Sequence, residues 1–318
     1  MSFTLNDELI VAIAALITPV VHELPEIHGR DDYIGLRTFS DVSVRAIDSS
    51  LPEHPEVIRR DFPVPSYDGA SITVRWYQPP ERDRLSAAVY LHGGGMIAGS
   101  IDLYDRLVAG YAAESGVGVL SVNYRLAPEH PHPTPVEDCF AALSWLTSTS
   151  SGELGVDPSR IAIMGDSAGG GLAAAVAILA RERELDICRQ ILIYPMLDDR
   201  TTTPDLELVP FAGWTYENNY TGWRALLGDR IATDDVPAAA APARVADFRG
   251  LPNAYVEVGE LDIFRDESIE YARRLGEAGI SSELHIHPGC PHGFDRAGRS
   301  VDVVNRAWAD RIRVLRSL

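Results

Sequence analysis

The sequence predicts an α/β protein: a mostly parallel, doubly wound sheet of eight strands with a helical cap. Two observations carry this. From about residue 87 to the end, short apolar runs alternate with helical segments, a rhythm that calls for parallel strands joined by crossover helices. Within that stretch, Arg160–Leu172 reads R-I-A-I-M-G-D-S-A-G-G-G-L. It is a buried-strand pattern that runs through a glycine-rich turn into an Ala-rich apolar segment. In open sheets of this kind, ligands bind beyond the carboxyl ends of the strands.

Taken in order, the chain opens on an apolar run over residues 9–21, read as a helix capped near Asn6. The run is too short to cross a bilayer, and Asp7 and Glu8 stand where a signal peptide would carry positive charge. A cytoplasmic protein with no membrane partner is expected. The remainder up to residue 55 is rich in Pro, Asp and Ser, lacks strand alternation and is expected to be irregular. Glu56–Val64 and Ser71–Tyr77 read as strands around a Tyr67-Asp68-Gly69 turn. Further strands are expected at Ala87–Leu91, Gly118–Val122, Ile161–Met164, Gln190–Tyr194, Ala254–Val258 and Ser282–His287. Helices are expected over 102–115, Val136–Leu146, Leu172–Ala180, Asp266–Ala278 and 300–316. Residues 196 to about 245 break the rhythm. With residues 1–55 they are expected to form a cap over the sheet's C-terminal edge.

Composition excludes several classes. A chain of 318 residues with 46% hydrophobic and 23% charged residues can bury a large globular core. Its net charge of −18 opposes nucleic acid and anionic membranes as partners. Arginine supplies all 28 basic residues. The absence of lysine removes Schiff-base chemistry, the Walker phosphate loop and a Ser-Lys dyad. Cys139, Cys188 and Cys290 are odd in number and widely spaced, so no disulfide framework is implied.

Four groups fall after strands. Ser167 sits in the G-x-S-x-G of Gly165–Gly169, where a tight strand-to-helix turn would hold its hydroxyl out from the sheet. That motif alone arises by chance in about one chain in ten of this length, so the other three matter. His92-Gly93-Gly94-Gly95 follows the 87 strand, Asp262 follows the 254 strand, and His292 follows the last strand in Pro291-His292-Gly293-Phe294. Serine is a poor nucleophile until a base removes its proton, and neutral histidine can do so near pH 7. A buried carboxylate fixes the imidazole tautomer. Glycine amides, with that of Ala168, can face a developing oxyanion.

These motifs, together with Tyr124–Pro131, Asp157–Gly170 and Tyr194–Arg200, resemble the hormone-sensitive-lipase-like family of α/β-hydrolase carboxylesterases, in its bacterial branch with a G-D-S-A-G turn. The resemblance covers roughly residues 55–318. It implies the α/β-hydrolase fold, with an N-terminal cap segment at 1–55 and a catalytic domain at 56–318 that carries a cap insertion at about 196–245. It implies Ser167 as nucleophile, Asp262 as acid and His292 as base. The oxyanion hole would come from Gly93, Gly94, Gly95 and Ala168. The implied substrates are small-molecule esters with short to medium acyl chains. No metal or organic cofactor is implied, and a homodimer is possible. An amidase, lactonase or acyltransferase could use the same machinery. A non-catalytic small-molecule receptor on this fold lacks the base, whereas His292 is present here.

One departure stands out. The acid usually sits in D-P-L-x-D, but here the stretch is Asp262-Ile263-Phe264-Arg265-Asp266. The missing proline predicts a looser loop, with Asp266 as a rival carboxylate. Among the other conspicuous residues, His92 is expected to shape its loop, Asp166 to hydrogen-bond and Glu129 to ion-pair. His285, His287, Cys290 and His292 lie close in sequence but lack a zinc spacing. Trp214, Tyr216 and Tyr220 are candidates for the substrate pocket. Helical spacing puts Tyr216, Tyr220 and Trp223 on one face.

Overall fold

The computed structural model describes residues 3–80, 85–149 and 151–318. The chain begins with helices α1 (Asp7–Ile17) and α2 (Tyr33–Ser50), followed by strands β1 (Ile58–Pro65), β2 (Ser71–Gln78) and β3 (Ala87–Leu91). Then come α3 (Asp105–Ser115), β4 (Gly118–Asn123), α4 (Thr134–Ser144), the short α5 (Ser151–Leu154), β5 (Ile161–Asp166) and α6 (Ala168–Glu182). The last elements are β6 (Arg189–Ile193), α7 (Tyr216–Leu227), β7 (Ala254–Gly259), α8 (Arg265–Glu277), β8 (Ser282–His287) and α9 (Asp302–Arg316).

Among the described residues the sheet has eight strands in the order β1-β2-β4-β3-β5-β6-β7-β8. β1–β2 and β2–β4 are antiparallel, and the remaining neighbours are parallel. This is the predicted architecture, with strand limits shifted by no more than a few residues. β3 shows why the central strands read as unbroken apolar runs. All five of its residues are buried. Ala87, Val89 and Leu91 face a core shared with α4, α6 and α8, while Ala88 and Tyr90 face another under α3 and α9. Helices cover both faces, so neither set of alternating side chains meets water.

Two of the differences from the sequence reading shape the site, beside the added helices α5 and α7. The stretch expected to be irregular contains α2, an 18-residue helix. It carries four Ser and two Asp, which favour caps and turns over helix interiors. Tertiary anchors decide the matter. Asp32 caps the helix by accepting from the Gly35 N–H at 2.8 Å. Asp41 accepts from Gly99 N–H at 2.9 Å, and Asp48 accepts from Leu107 N–H at 3.2 Å in the first turn of α3. Arg37 grips Glu129 with two bonds, of 2.9 and 2.7 Å. The second difference is that α6 starts at Ala168, directly after the serine, and takes in Gly169–Gly171. Three glycines are poor helix formers, but here the helix must touch neighbouring backbone.

α2 packs against α7, where Arg30 pairs with Glu217 and Thr221 donates to the Arg30 carbonyl. Among the described residues no helix is long and apolar enough to cross a membrane.

Two glycines test this packing in opposite directions. A Cβ on Gly118 would stand 2.2 Å from the ring of Trp76, which is fully buried. Gly118→Ala should lower unfolding free energy by about 1–3 kcal/mol through overpacking. Gly276, in α8, has nothing within 4 Å of such a Cβ. Gly276→Ala should raise stability by about 0.5–1 kcal/mol. Urea midpoints of the two variants check both signs.

Candidate active site

β5 delivers Asp166 at its last position, and the chain then turns sharply. Ser167 has φ 55° and ψ −122°, and α6 begins at the next residue. A non-glycine residue there is strained. Three backbone bonds hold it: Ser167 N–H donates to the Ile193 carbonyl at 2.9 Å, and its own carbonyl accepts from Gly171 N–H at 3.0 Å and Met196 N–H at 2.9 Å. Glycine is obligatory nearby because backbone meets backbone. A Cβ on Gly169 would lie 2.0 Å from the Leu91 carbonyl oxygen, and one on Gly165 would lie 2.2 Å from that of Gly169.

The structure brings the three predicted residues together. His292 Nε2 stands 2.9 Å from Ser167 Oγ, and His292 Nδ1 stands 2.7 Å from Asp262 Oδ2. Asp262 is fully buried. Its other oxygen accepts from Phe264 N–H at 2.9 Å, which leaves Oδ2 facing the imidazole. The ring is gripped edge-on by Tyr194 at 4.9 Å and Phe264 at 5.1 Å. The loop without proline is therefore tied down, by the amide and the ring of Phe264. Asp266 is not a rival: its side chain is 76% exposed and pairs with Arg265.

The glycine loop needs one correction. Gly93 N–H donates to Asp166 Oδ1 at 3.1 Å, so it is not free to face a substrate. Gly94 (φ 120°) and Gly95 (φ 61°) are left-handed, and among the described residues their N–H groups have no acceptor. Gly94 lines the same cavity as Ser167. A Cβ on Gly95 would lie 2.8 Å from the Trp214 ring. His92 shapes this loop: Nδ1 bonds the Gly93 carbonyl at 2.8 Å, and the ring stacks on Tyr124 at 4.3 Å. Burial pushes its pKa down and keeps it neutral. Asp166 is a hydrogen-bonding hub, accepting also from Tyr90 and Arg296. Glu129 is an ion-pair residue, with its pKa lowered to about 2 by its hydrogen bonds from Arg37.

A cavity of about 230 Å³ opens beside Ser167 and His292. Its far wall is made by Ile13, Leu16 and Ile17 of the N-terminal segment and by Phe39, Val44 and Ile47 of α2. Of the three aromatic candidates, Trp214 lines it, but Tyr216 and Tyr220 do not. The Tyr216 hydroxyl is held by the Asp205 backbone, and Tyr220 lies under the Arg30 guanidinium at 4.9 Å. The helical spacing was real, but in α7 Tyr216 is turned toward Asp205, Tyr220 toward Arg30 and Trp223 into the core, none of them into the cavity. Sequence reasoning missed the α2 wall. Its signal was the helical spacing of Leu36, Phe39, Ser43 and Ile47, weakened by intervening polar residues. It also missed Tyr104 and Arg296, which line the cavity and which no motif marks.

The histidine cluster does not converge. His292 faces Ser167 and Asp262, Cys290 Sγ faces the Pro288 carbonyl, and His285 pairs with Glu283 at 2.7 Å. Glu283, His285 and Asp310 do gather within 4.8 Å of one another, but Arg313 pairs with both acids.

Fold and site together define an α/β-hydrolase. A family model described as alpha/beta hydrolase fold matches residues 88–296. The carboxylesterase NlhH of Mycobacterium tuberculosis is 38% identical over 253 residues, covering 76% of this chain and 77% of that one. The ethyl acetate hydrolase of Pseudomonas putida is 33% identical over 262 residues, covering 81% of each. The solved structure of a bacterial heroin esterase matches with TM-score 0.89 at 36% identity, covering 99% of this chain and 98% of that one. The chain belongs to the hormone-sensitive-lipase-like family of α/β-hydrolases.

Burial pushes the Cys290 thiol up to about 12 and the Cys139 thiol well above its ordinary value. Ellman's reagent at pH 7.5 should leave both unmodified in the folded protein and react with all three cysteines in urea. Treatment of the folded enzyme should leave its activity unchanged, although Cys290 lies two residues from His292.

Proposed function

We propose that this chain is a serine carboxylesterase with Ser167 as nucleophile, His292 as general base and Asp262 as its orienting carboxylate. The observation that carries the reading is the unbroken chain from Ser167 Oγ through His292 to Asp262, ending beside an apolar cavity. Relatives named for hydrolysing esters support the same class of reaction.

The mechanism follows from the geometry. His292 Nδ1–H donates to Asp262, which leaves Nε2 free to accept the Ser167 proton. Ser167 Oγ attacks the ester carbonyl as Nε2 takes that proton. Charge builds on the carbonyl oxygen and is met by the amides of Ala168, Gly94 and Gly95. Each such donor is typically worth about 3 kcal/mol. The imidazolium, stabilised by Asp262, protonates the departing alcohol. A water then enters, His292 takes its proton, and hydroxide attacks the acyl-enzyme. Collapse of the second tetrahedral intermediate returns the proton to Ser167 and frees the acid.

The cavity, at about 230 Å³, lies below the roughly 300–1,000 Å³ usual for drug-sized ligands. That supports short to medium acyl chains. The cap reading belongs with it: residues 1–55 and about 196–245 cover Ser167, and α1 and α2 supply the wall that limits substrate length.

Hydrolysis of p-nitrophenyl esters from acetyl to decanoyl tests the reading. The parent should turn over the short esters, with rate falling as the chain outgrows the cavity. Ser167→Ala should lose at least about 10⁴-fold in kcat/KM, and Asp262→Asn about 10³- to 10⁴-fold. Asp266→Asn should stay within about twofold, as expected for an exposed side chain with no contact to the imidazole. A parent without esterase activity, or a Ser167→Ala variant that matches it, would sink the assignment.

A further inference from the structure

Two consecutive residues in the turn after His292 reach into different buried networks. Asp295 and Arg296 lie in the 3-10 turn Phe294–Ala297. Arg296 Nη2 donates to Asp166 Oδ2 at 2.8 Å and to the Tyr104 hydroxyl at 2.8 Å. Asp166 immediately precedes Ser167 and is 2% exposed. Its other oxygen accepts from Gly93 N–H at 3.1 Å and from the Tyr90 hydroxyl at 2.5 Å. Asp295 turns the opposite way. It accepts from the Tyr194 hydroxyl at 2.7 Å and from Arg311 Nη1 at 2.6 Å. Arg311, from α9, is fully buried and also pairs with Glu257 of β7.

We propose that Arg296 is a positioning residue: through the Asp166 carboxylate it locks the turn that follows His292 to the loop that presents the Gly94 and Gly95 amides. This rests on the esterase reading above. One carboxylate thereby sets three things at once. It precedes the nucleophile, it holds Gly93 and so the amides that follow, and it anchors the turn just after the base. Asp295 and Arg311 make the lock stiff by fixing the other side of the same turn. Arg296 donates from a single nitrogen to two acceptors, so its head group has a defined direction. Lysine could supply the charge but not this planar geometry. Without Arg296 the buried Asp166 loses its cation, and the loop that depends on it is free to shift. A displacement of about 1 Å between base, nucleophile and oxyanion donors can cost about 100-fold in rate.

The test compares the parent, Ser167→Ala, Arg296→Ala, Arg296→Lys and Tyr104→Phe on p-nitrophenyl acetate, with melting temperatures alongside. Arg296→Ala should lower kcat by about 30- to 100-fold with KM within about threefold. Because Arg296 lines the cavity, added methylguanidinium should restore a saturable part of the lost kcat. Arg296→Lys should retain more activity than Arg296→Ala. Tyr104→Phe removes one acceptor and keeps the ring, so it should fold normally and lower kcat by about two- to fivefold. Unchanged kcat in a folded Arg296→Ala overturns the proposal. So does a loss that neither lysine nor methylguanidinium relieves, which marks a purely structural role. Should Arg296→Ala not fold, Tyr104→Phe decides, and parental kcat there overturns it. A parent that hydrolyses no ester, or a Ser167→Ala that equals it, would be the failure of the esterase reading itself.

Discussion

The site depends on one close approach, where the first turn of α6 crosses the end of β3. There is no room for a side chain between them: a Cβ on Gly169 would fall 2.0 Å from the Leu91 oxygen. This contact fixes the relation between the serine turn and the loop that leaves β3 at His92. Gly171 makes the matching approach on the other side, with its Cβ position 2.1 Å from the Met196 oxygen. The turn is thus wedged between two loops that both issue from the C-terminal edge of the sheet. A strained φ at Ser167 costs about 1–3 kcal/mol. It is tolerable because α6 is buried from Ala168 through Ala180, so its core contacts over-determine the geometry.

Around this crossing the polar groups have a consistent logic. The loop from His92 to Gly99 is held from several sides by partners drawn from three different parts of the fold. Tyr124 donates to the His92 carbonyl, Asp166 accepts from Gly93, Arg37 donates to the Ile97 carbonyl, and Asp41 accepts from Gly99. Two of the four come from α2, so that helix is both a wall of the cavity and a brace for the loop. α1 is attached differently. Leu9 is its one buried residue, while Ile10 and Val11 are 46% and 71% exposed. Local opening free energy follows buried apolar contact. The α1 side of the cavity is thus its low-stability side, and α1 can shift without disturbing any hydrogen bond among Ser167, His292 and Asp262.

The difference between α1 and α2 also explains what the sequence did and did not disclose. Central strands such as β3 and β5 were legible as buried apolar runs, the outer β1 and β2 by the turn at Tyr67-Asp68-Gly69, and the serine turn because glycine is forced by backbone contact. Asp262 was legible over Asp266 because it directly follows a strand. The cavity wall was not legible. Phe39, Val44 and Ile47 sit among Ser, Asp and Arg, and the anchors that make α2 a helix, such as Asp41 to Gly99, span dozens of residues. Trp214 was found, whereas Tyr216 and Tyr220 were misassigned, because spacing on a helix tells which residues share a face but not what that face meets. Gly93 was grouped with its neighbours because a run of glycines does not reveal which amide is already committed to Asp166.

The lack of lysine shapes how the buried acids are satisfied. Asp138, Asp199 and Glu257 are fully buried, and each is met by an arginine: Arg125, Arg244 and Arg311 respectively. A lone buried carboxylate would cost several kcal/mol and would take up a proton instead. The guanidinium fork supplies several donors in fixed directions, so one arginine can fill more than one vacancy. Arg244 meets both oxygens of Asp199, at 2.6 and 2.9 Å, which pins the loop after β6 against residues 242–244. Arg311 reaches Glu257, Asp295 and the Tyr111 hydroxyl together, joining β7, α3 and the turn after His292. The segments that surround Ser167 are short and irregular, with little apolar surface of their own. Their positions are therefore set in part by directional bonds from arginines, Arg311 from a helix and Arg125 and Arg244 from within the irregular segments themselves.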